Sequence, residues 1–161
     1  MLAKILVPLD GSEHSLKALE YAIALASKFS SVIHVVHIVH IVQAIAAMTY
    51  DTAFMMRDIY TRASDMTGPS FIIDLKNHLN ENGRRILATT DVKTKEAGIK
   101  AVTTLLYGSP AEEIISFAEK EEVDLIVIGG RGLGSVTRFF LGSVSNKVSR
   151  HAPCPVLIVK M

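Results

Sequence analysis

The chain has 161 residues, of which 49% are hydrophobic, 20% charged and 6% aromatic, a composition that excludes disordered, collagen-like and disulfide-rich proteins. At about 150 residues per domain, this length predicts one domain over residues 1–161. The 17 Lys and Arg residues against 16 Asp and Glu give a net charge of +1 without a dense basic run, which weighs against a nucleic-acid binder. The single cysteine, Cys154, cannot form an intramolecular disulfide and favours a reducing compartment.

A mean hydropathy of +0.33 raises the question of a membrane segment. The most apolar stretch, Val32 to Met48, is interrupted by His34, His37 and His40 and falls short of the ~20 residues that a membrane span needs. The N-terminus lacks the apolar length of a signal peptide. These features predict a buried strand, no membrane partner and a cytoplasmic location.

Hydrophobic periodicity predicts strands that alternate with helices along the chain. Ser12 stands where an N-cap accepts a first-turn amide, Pro110 suits a first helical turn, and Gly98 is a stop signal. The stretch Gln43 to Ser70 has no clean period and predicts an irregular or partly helical insert. The predicted strands are Ala3–Val7, Val32–Val39, Lys100–Tyr107, Asp124–Ile128 and Val156–Lys160, and the predicted helices are Ser12–Lys28, Asp74–Ala97, Ala111–Lys120 and Ser143–Arg150.

Two of these strands are apolar on both faces. Leu125–Ile128 and Val156–Val159 contain only aliphatic residues, which is typical of parallel strands covered by helices on both sides. The sequence therefore predicts an α/β fold with an open parallel sheet and helices on both faces. In such doubly wound sheets, ligands bind beyond the carboxyl ends of the strands, where the winding reverses.

A glycine-rich stretch, Gly129 to Gly142, follows a buried strand and precedes the helix that begins at Ser143. Glycines let backbone amides approach an anion, and the positive end of the helix dipole lies at the same place, so phosphate is the expected ligand. Two common phosphate motifs fail here. The P-loop lacks a Lys after Gly134, and the dinucleotide fingerprint has Ser135 or Thr137 in place of its third glycine.

A different spacing, G-x2-G-x9-G-[ST], is satisfied by Gly129, Gly132, Gly142 and Ser143 at the end of an apolar strand. With this pattern, the chain resembles the universal stress proteins, of the branch that binds ATP. The resemblance covers nearly the whole chain. It rests also on the segments Lys4–Ser12, Ile33–Val39, Tyr107–Ile114, Asp124–Gly134 and Pro153–Val159.

The resemblance implies a five-stranded sheet in the order 3-2-1-4-5, which makes strands one and four neighbours. Residues just beyond those two strands would then meet at one crevice. It also implies ATP, accompanied by Mg²⁺ or Mn²⁺, as the ligand, although the sequence shows no dedicated metal cage. The residues implied near the adenosine are Pro8, Asp10, Ile38 and Ile128, and those implied at the ribose and phosphates are Gly129, Gly132, Gly142, Ser143 and Val144, with Ser145 as a weaker candidate.

Several other side chains are of types that could carry chemistry of their own. His34, His37 and His40 invite a metal interpretation, but a spacing of three on a strand puts His37 on the opposite face from the other two. Ser135 and Ser143 resemble nucleophiles, yet neither has an evident His and Asp partner, so phosphate contact is favoured. The sequence therefore predicts no catalytic residue and no protein-built metal site.

Two residues keep competing interpretations. Asp10 is either close to the ligand or only the turn residue that Asp-Gly sequences ordinarily supply. Arg131 is open between phosphate contact and solvent.

The last strand is an edge in the implied order, and an apolar edge needs a cover. The resemblance likewise implies a homodimer with Val156, Leu157, Ile158 and Val159 at or near the interface. The favoured function is an ATP-binding stress-response switch, in which ordering of Gly130 to Leu141 transmits occupancy to an unknown protein partner. The alternatives are a slow metal-dependent ATPase or phosphotransferase and a nucleotide-free interaction module.

Overall fold

A computed structural model describes residues 2–41, 44, 69–132 and 141–161. Most of the predicted insert at 43–70 and residues 133–140 of the glycine-rich stretch lie outside these ranges. The predicted alternation of strands and helices is confirmed, with most boundaries moved by one or two residues. The strands are β1 (Lys4–Pro8), β2 (Val32–Val39), β3 (Ala101–Tyr107), β4 (Leu125–Gly129) and β5 (Val156–Val159), and the helices are α1 (Glu13–Phe29), α2 (Pro69–Glu96), α3 (Pro110–Lys120) and α4 (Ser143–His151).

The strands form one parallel sheet in the order β3-β2-β1-β4-β5, which confirms the implied topology. β1 lies between β2 and β4: Ile5 is in register with Ile33 on one side and with Leu125 on the other. Because parallel strands end at the same edge, the carboxyl ends of β2, β1 and β4 converge where the winding reverses.

Alternation along the strands divides the core between two faces of the sheet. On the α1/α2 face, Ile5 and Val7 pack with α1 and with Leu87 of α2. On the α3/α4 face, Leu6 and Ile126 pack with buried residues of α3 and α4. Burial on both faces explains why β1 and β4 are apolar at almost every position.

Helix α1 has the start that the sequence predicts. Ser12 is its N-cap, and the Ser12 hydroxyl accepts a hydrogen bond from the Ser15 amide at 3.2 Å. The helix ends at Phe29 and its C-cap is Ser30, whose φ of 58° places it in the left-handed region that closes many helices. The first turn of α1 is therefore fixed directly after β1.

Helix α2 begins earlier than predicted, at Pro69 instead of Asp74. Proline lacks an amide hydrogen, but the amides of a first helical turn have no helical acceptor, so Pro69 is compatible with the first position of α2. The predicted stop is confirmed, because Gly98 has a φ of +67° just beyond Glu96. Within the described ranges, no helix has both the length and the apolar character of a membrane span.

Candidate functional site

Three residues implied near the adenosine lie on the same face of the sheet. Ile38 and Ile128 belong to the α3/α4 face, where Ile128 is only 5% exposed, and alternation from Leu6 places Pro8 on that face as well. Pro8 is buried and pairs with Val36 of β2. All three are apolar and lie near the carboxyl edge of β2, β1 and β4, with Pro8 and Ile128 buried and Ile38 half-buried, and together they are called the apolar floor below.

Asp10 and Gly132 are brought together at this edge. Asp10 is half-buried just beyond β1, and its Oδ1 accepts a hydrogen bond from the Ser12 amide at 2.9 Å. Its Oδ2 faces Gly132, where a Cβ would lie only 2.5 Å away. Asp10 is thus a turn residue, as one of its interpretations holds, and its second oxygen is directed at the glycine-rich stretch.

Backbone hydrogen bonds connect the start of α4 to the ends of β4 and β5. The Gly142 amide donates to the Gly130 carbonyl at 2.8 Å, and the Gly130 amide donates to the Val159 carbonyl at 2.8 Å. A Cβ at Gly142 would lie 3.4 Å from the Cα of Arg131, so the two backbone segments are closely packed. These contacts place the N-terminus of α4 beside the loop that carries Gly132.

The N-terminus of α4 presents backbone donors at this edge. Its N-cap, Gly142, has no side chain to accept a hydrogen bond, and its first turn contains no acidic residue. First-turn amides have no helical acceptor and carry the positive end of the helix dipole. Ser143 is exposed and Val144 is half-buried. Gly142, Ser143 and Val144, three of the residues implied at the ribose and phosphates, therefore lie where backbone donors suit an anion.

Gly129 and Ser145 have packing roles in this structure. A Cβ at Gly129 would lie 2.7 Å from the backbone carbonyl carbon of His14, so this glycine lets β4 approach the first turn of α1. Ser145 is 4% exposed, and its hydroxyl donates to the Gly129 carbonyl at 2.7 Å. These contacts account for both residue types without a ligand, and nucleotide contact by either residue stays a prediction.

His14 is a residue of this region that the sequence analysis missed. Its Nδ1 is buried and has no hydrogen-bond partner among the described residues. A buried polar atom without a partner is costly, and such atoms are uncommon in folded proteins. No motif marks His14. Its position is the signal that could have identified it, because His14 lies two residues after the N-cap Ser12 in a helix that starts at the carboxyl end of β1.

The histidines of β2 are divided between the two faces, as predicted. The His34 ring lies 6.0 Å from the Phe117 ring of α3, whereas His37 faces Gly83 of α2. Burial lowers the pKa of His34. Across residues 2–41, 44, 69–132 and 141–161, no group of three or more His, Cys, Asp or Glu side chains is placed to hold a metal ion.

A groove on the α1/α2 face was not anticipated from the sequence. It has a volume of about 240 Å³ and adjoins the turn at Gly11, directly after Asp10. It is therefore separated by the sheet from the apolar floor of Pro8, Ile38 and Ile128. Its lining consists of Gly11, Leu16, Asn82, Arg85, Ile86 and Thr89.

Comparison with known proteins gives one family. The model of the universal stress protein family matches residues 1–160. Universal stress protein YxiE of Bacillus subtilis is 34% identical over 168 aligned residues, which cover 99% of this chain and 100% of that protein.

Solved structures agree with this result. The structure of MJ0577 from Methanocaldococcus jannaschii has a TM-score of 0.77 at 28% identity, covering 100% of this chain and 97% of that one. A universal stress family protein from Arabidopsis thaliana with AMP bound has a TM-score of 0.65 at 20% identity, with 98% and 91% covered, and this likeness concerns the fold alone. With a family match over nearly its whole length, this chain belongs to the universal stress protein family.

Proposed function

We propose that this chain binds ATP at the carboxyl edge of β1 and β4 and acts as a nucleotide-dependent switch in the stress response. The observation that carries the proposal is the meeting of Asp10, Gly132 and the N-terminus of α4 in one place. A side chain at Gly132 would fill the space beside Asp10, and the first turn of α4 has no acidic residue to compete with an anion.

The residues present suit both parts of the nucleotide. Ile38, the half-buried member of the apolar floor, offers a contact for a flat base beside the buried Pro8 and Ile128, and the α4 amides offer donors for phosphate oxygens. One exposed helix terminus contributes only about 0.3–1 kcal/mol, so Gly132 and the hydroxyl of Ser143 are needed in addition. ATP would supply the charge that these donors bind.

A magnesium or manganese ion fits the site only as a companion of the phosphates. Asp10 is the carboxylate that the described part of the site offers, and its Oδ1 is already engaged by the Ser12 amide. Mg²⁺ is commonly bound by one or two carboxylates together with substrate phosphates and water. Asp10 Oδ2 is therefore the protein ligand that we assign to the ion.

Related folds support an adenine nucleotide. The Arabidopsis thaliana protein was solved with AMP, which demonstrates for that protein that this fold accommodates one.

The single cysteine favours a cytoplasmic location, and the apolar edge strand β5 favours a homodimer. We propose in addition that a partner protein receives the signal.

The decisive experiment identifies the bound nucleotide. The purified protein is denatured, released small molecules are identified by mass spectrometry, and the stripped protein is titrated calorimetrically with ATP and magnesium. We expect ATP or ADP to be released, or ATP to rebind with micromolar affinity. If neither occurs, the glycines serve the fold alone and a nucleotide-free interaction module replaces this proposal.

Hydrolysis is the second candidate, because Asp10 Oδ2 is directed at the glycine-rich stretch. Asp10 would hold the ion or orient a water molecule. A metal-dependent release of phosphate that persists through stringent purification and is lost in a Gly132→Trp variant would favour the ATPase. No release above the blank, with binding retained, would favour the switch.

A further inference from the structure

A buried glycine marks a close contact between α2 and the sheet. Gly83 lies in the middle of α2 and is buried. A Cβ at this position would lie 2.7 Å from Cδ2 of His37 and 2.6 Å from Cδ1 of Leu105. A larger residue would have to displace the imidazole, the leucine or the helix itself. Helix α2 therefore fixes one side of the His37 ring.

The other side of the His37 ring contacts β1. Its Nδ1 lies 2.7 Å from the carbonyl oxygen of Leu9. A carbonyl oxygen only accepts, so Nδ1 carries the proton and donates it. The amide of Leu9 donates in turn to the Val36 carbonyl at 2.8 Å. Both backbone polar groups of Leu9 thus bond to β2, one through the main chain and one through the His37 side chain.

This arrangement lies one residue before the candidate site. The Leu9 carbonyl belongs to the same rigid peptide plane as the amide nitrogen of Asp10, so holding that carbonyl sets the direction in which the chain enters Asp10. Asp10 then receives the Ser12 amide on Oδ1 and faces Gly132 with Oδ2. A change in the orientation of the Leu9–Asp10 peptide would therefore shift both carboxylate oxygens of Asp10.

We propose that His37 is the positioning residue of the candidate nucleotide site and that Gly83 holds it in place from α2. His37 contacts α2 on the α1/α2 face, so it is separated from the apolar floor on the other face and acts through Leu9 and Asp10. The effect on ATP affinity rests on the proposed function. The effect on the geometry of Asp10 does not, because it is present without nucleotide.

Two matched variants separate positioning from simple packing. His37→Asn places an amide nitrogen close to the position of the imidazole Nδ1 and keeps the donor. His37→Leu places a methyl group there and removes it. Both variants leave a similar space beside Gly83, so their losses of packing are similar. The ¹⁵N–¹H resonance of the Ser12 amide, whose acceptor is Asp10 Oδ1, reports on Asp10 in ligand-free protein.

We expect the Ser12 resonance to move in His37→Leu and to return near its wild-type position in His37→Asn. ATP binding should weaken by about five- to tenfold in His37→Leu, because Asp10 is no longer held in the orientation that the nucleotide needs, and should recover in His37→Asn. Gly83→Ala, which presses on the ring and retains its donor, should move the Ser12 resonance as well.

The inference fails if the Ser12 resonance stays in place in His37→Leu while the unfolding midpoint falls equally in both His37 variants, because His37 would then only pack. If the wild-type protein binds no ATP, the proposed function fails, and the Ser12 resonance alone decides the role of His37.

Discussion

The carboxylate of Asp10 lies against the backbone of Gly132, so that a Cβ at Gly132 would be 2.5 Å from Asp10 Oδ2. The same carboxylate accepts the Ser12 amide through Oδ1. One side chain therefore joins the turn after β1 to the loop after β4. Any residue with a Cβ at 132 must displace either this carboxylate or the loop.

The first prediction concerns Gly132→Ala. Because its Cβ displaces Asp10 Oδ2, we expect ATP affinity, measured by calorimetry, to fall by on the order of tenfold. Gly132 is exposed, so the free energy of unfolding should change little. In an Asp10→Ala background the alanine has no carboxylate to displace, and its additional effect should vanish. Equal losses in both backgrounds would contradict this explanation.

The second prediction uses the charge at the start of α4. Ser143→Asp adds a carboxylate to an uncapped helix N-terminus, which should raise the free energy of unfolding by about 0.3–1 kcal/mol. The same carboxylate repels phosphate, so ATP binding should weaken. Ser149→Asp, in the second half of the same helix, is the control and should leave ATP affinity unchanged. Unchanged ATP affinity in Ser143→Asp would show that the phosphates bind elsewhere.

The third prediction tests the packing role of Ser145. Its hydroxyl donates to the Gly129 carbonyl at 2.7 Å, and both groups are buried. Ser145→Ala leaves that carbonyl without this partner, so we expect a loss of about 1–3 kcal/mol in urea unfolding. Ser149→Ala removes an exposed hydroxyl from the same helix and should cost under about 0.5 kcal/mol. Equal effects of the two substitutions would refute the buried bond.

The fourth prediction is a pH dependence at the start of β4. Asp124 Oδ2 accepts the Lys4 amide at 2.9 Å and the Ala3 amide at 2.7 Å, and these bonds lower the pKa of Asp124 below its usual 3.8. Since the folded value lies below the unfolded one, this stabilisation is complete above pH 3.8 and is lost as the pH falls through the folded value. Asp124→Asn should therefore be less stable than wild type at pH 7, and the difference should shrink in acid.

Urea unfolding of the wild type and Asp124→Asn at about pH 7 and about pH 3 measures this difference. A gap between the two proteins that is the same at both pH values would exclude the carboxylate as its source.

The fifth prediction concerns the edge strand β5. Leu157 is 37% exposed on β5, which pairs only with β4 within this sheet. We expect light scattering to show a dimer at micromolar concentration and Leu157→Glu to shift it to monomer. Val102→Glu is the matched control, because Val102 is 42% exposed on the opposite edge strand β3. A monomeric wild type, or dissociation by Val102→Glu instead, would show that β5 is not the interface.

Different features of the sequence predicted the secondary-structure elements and the meeting of the site residues. Periodicity and turn residues such as Ser12 and Gly98 act locally, so they fixed the strands and most helix ends. Apolar runs on both faces, as in β4, required a covered parallel sheet. The strand order came from family resemblance, and this order puts Asp10 beside the loop after β4. The start of α2 was misplaced because Pro69 suits a loop and a first helical turn equally well.

Contacts between elements that are distant in sequence were decided only by the tertiary structure. Gly129 matches the nucleotide motif, yet its hydrogen faces the backbone of His14, a contact that depends on how closely α1 approaches β4. Gly83 carries no motif, yet it makes room for His37 and through it reaches Leu9. A glycine in a sequence indicates that a side chain would not fit at that position. Only tertiary packing determines which neighbouring residue lies in that space.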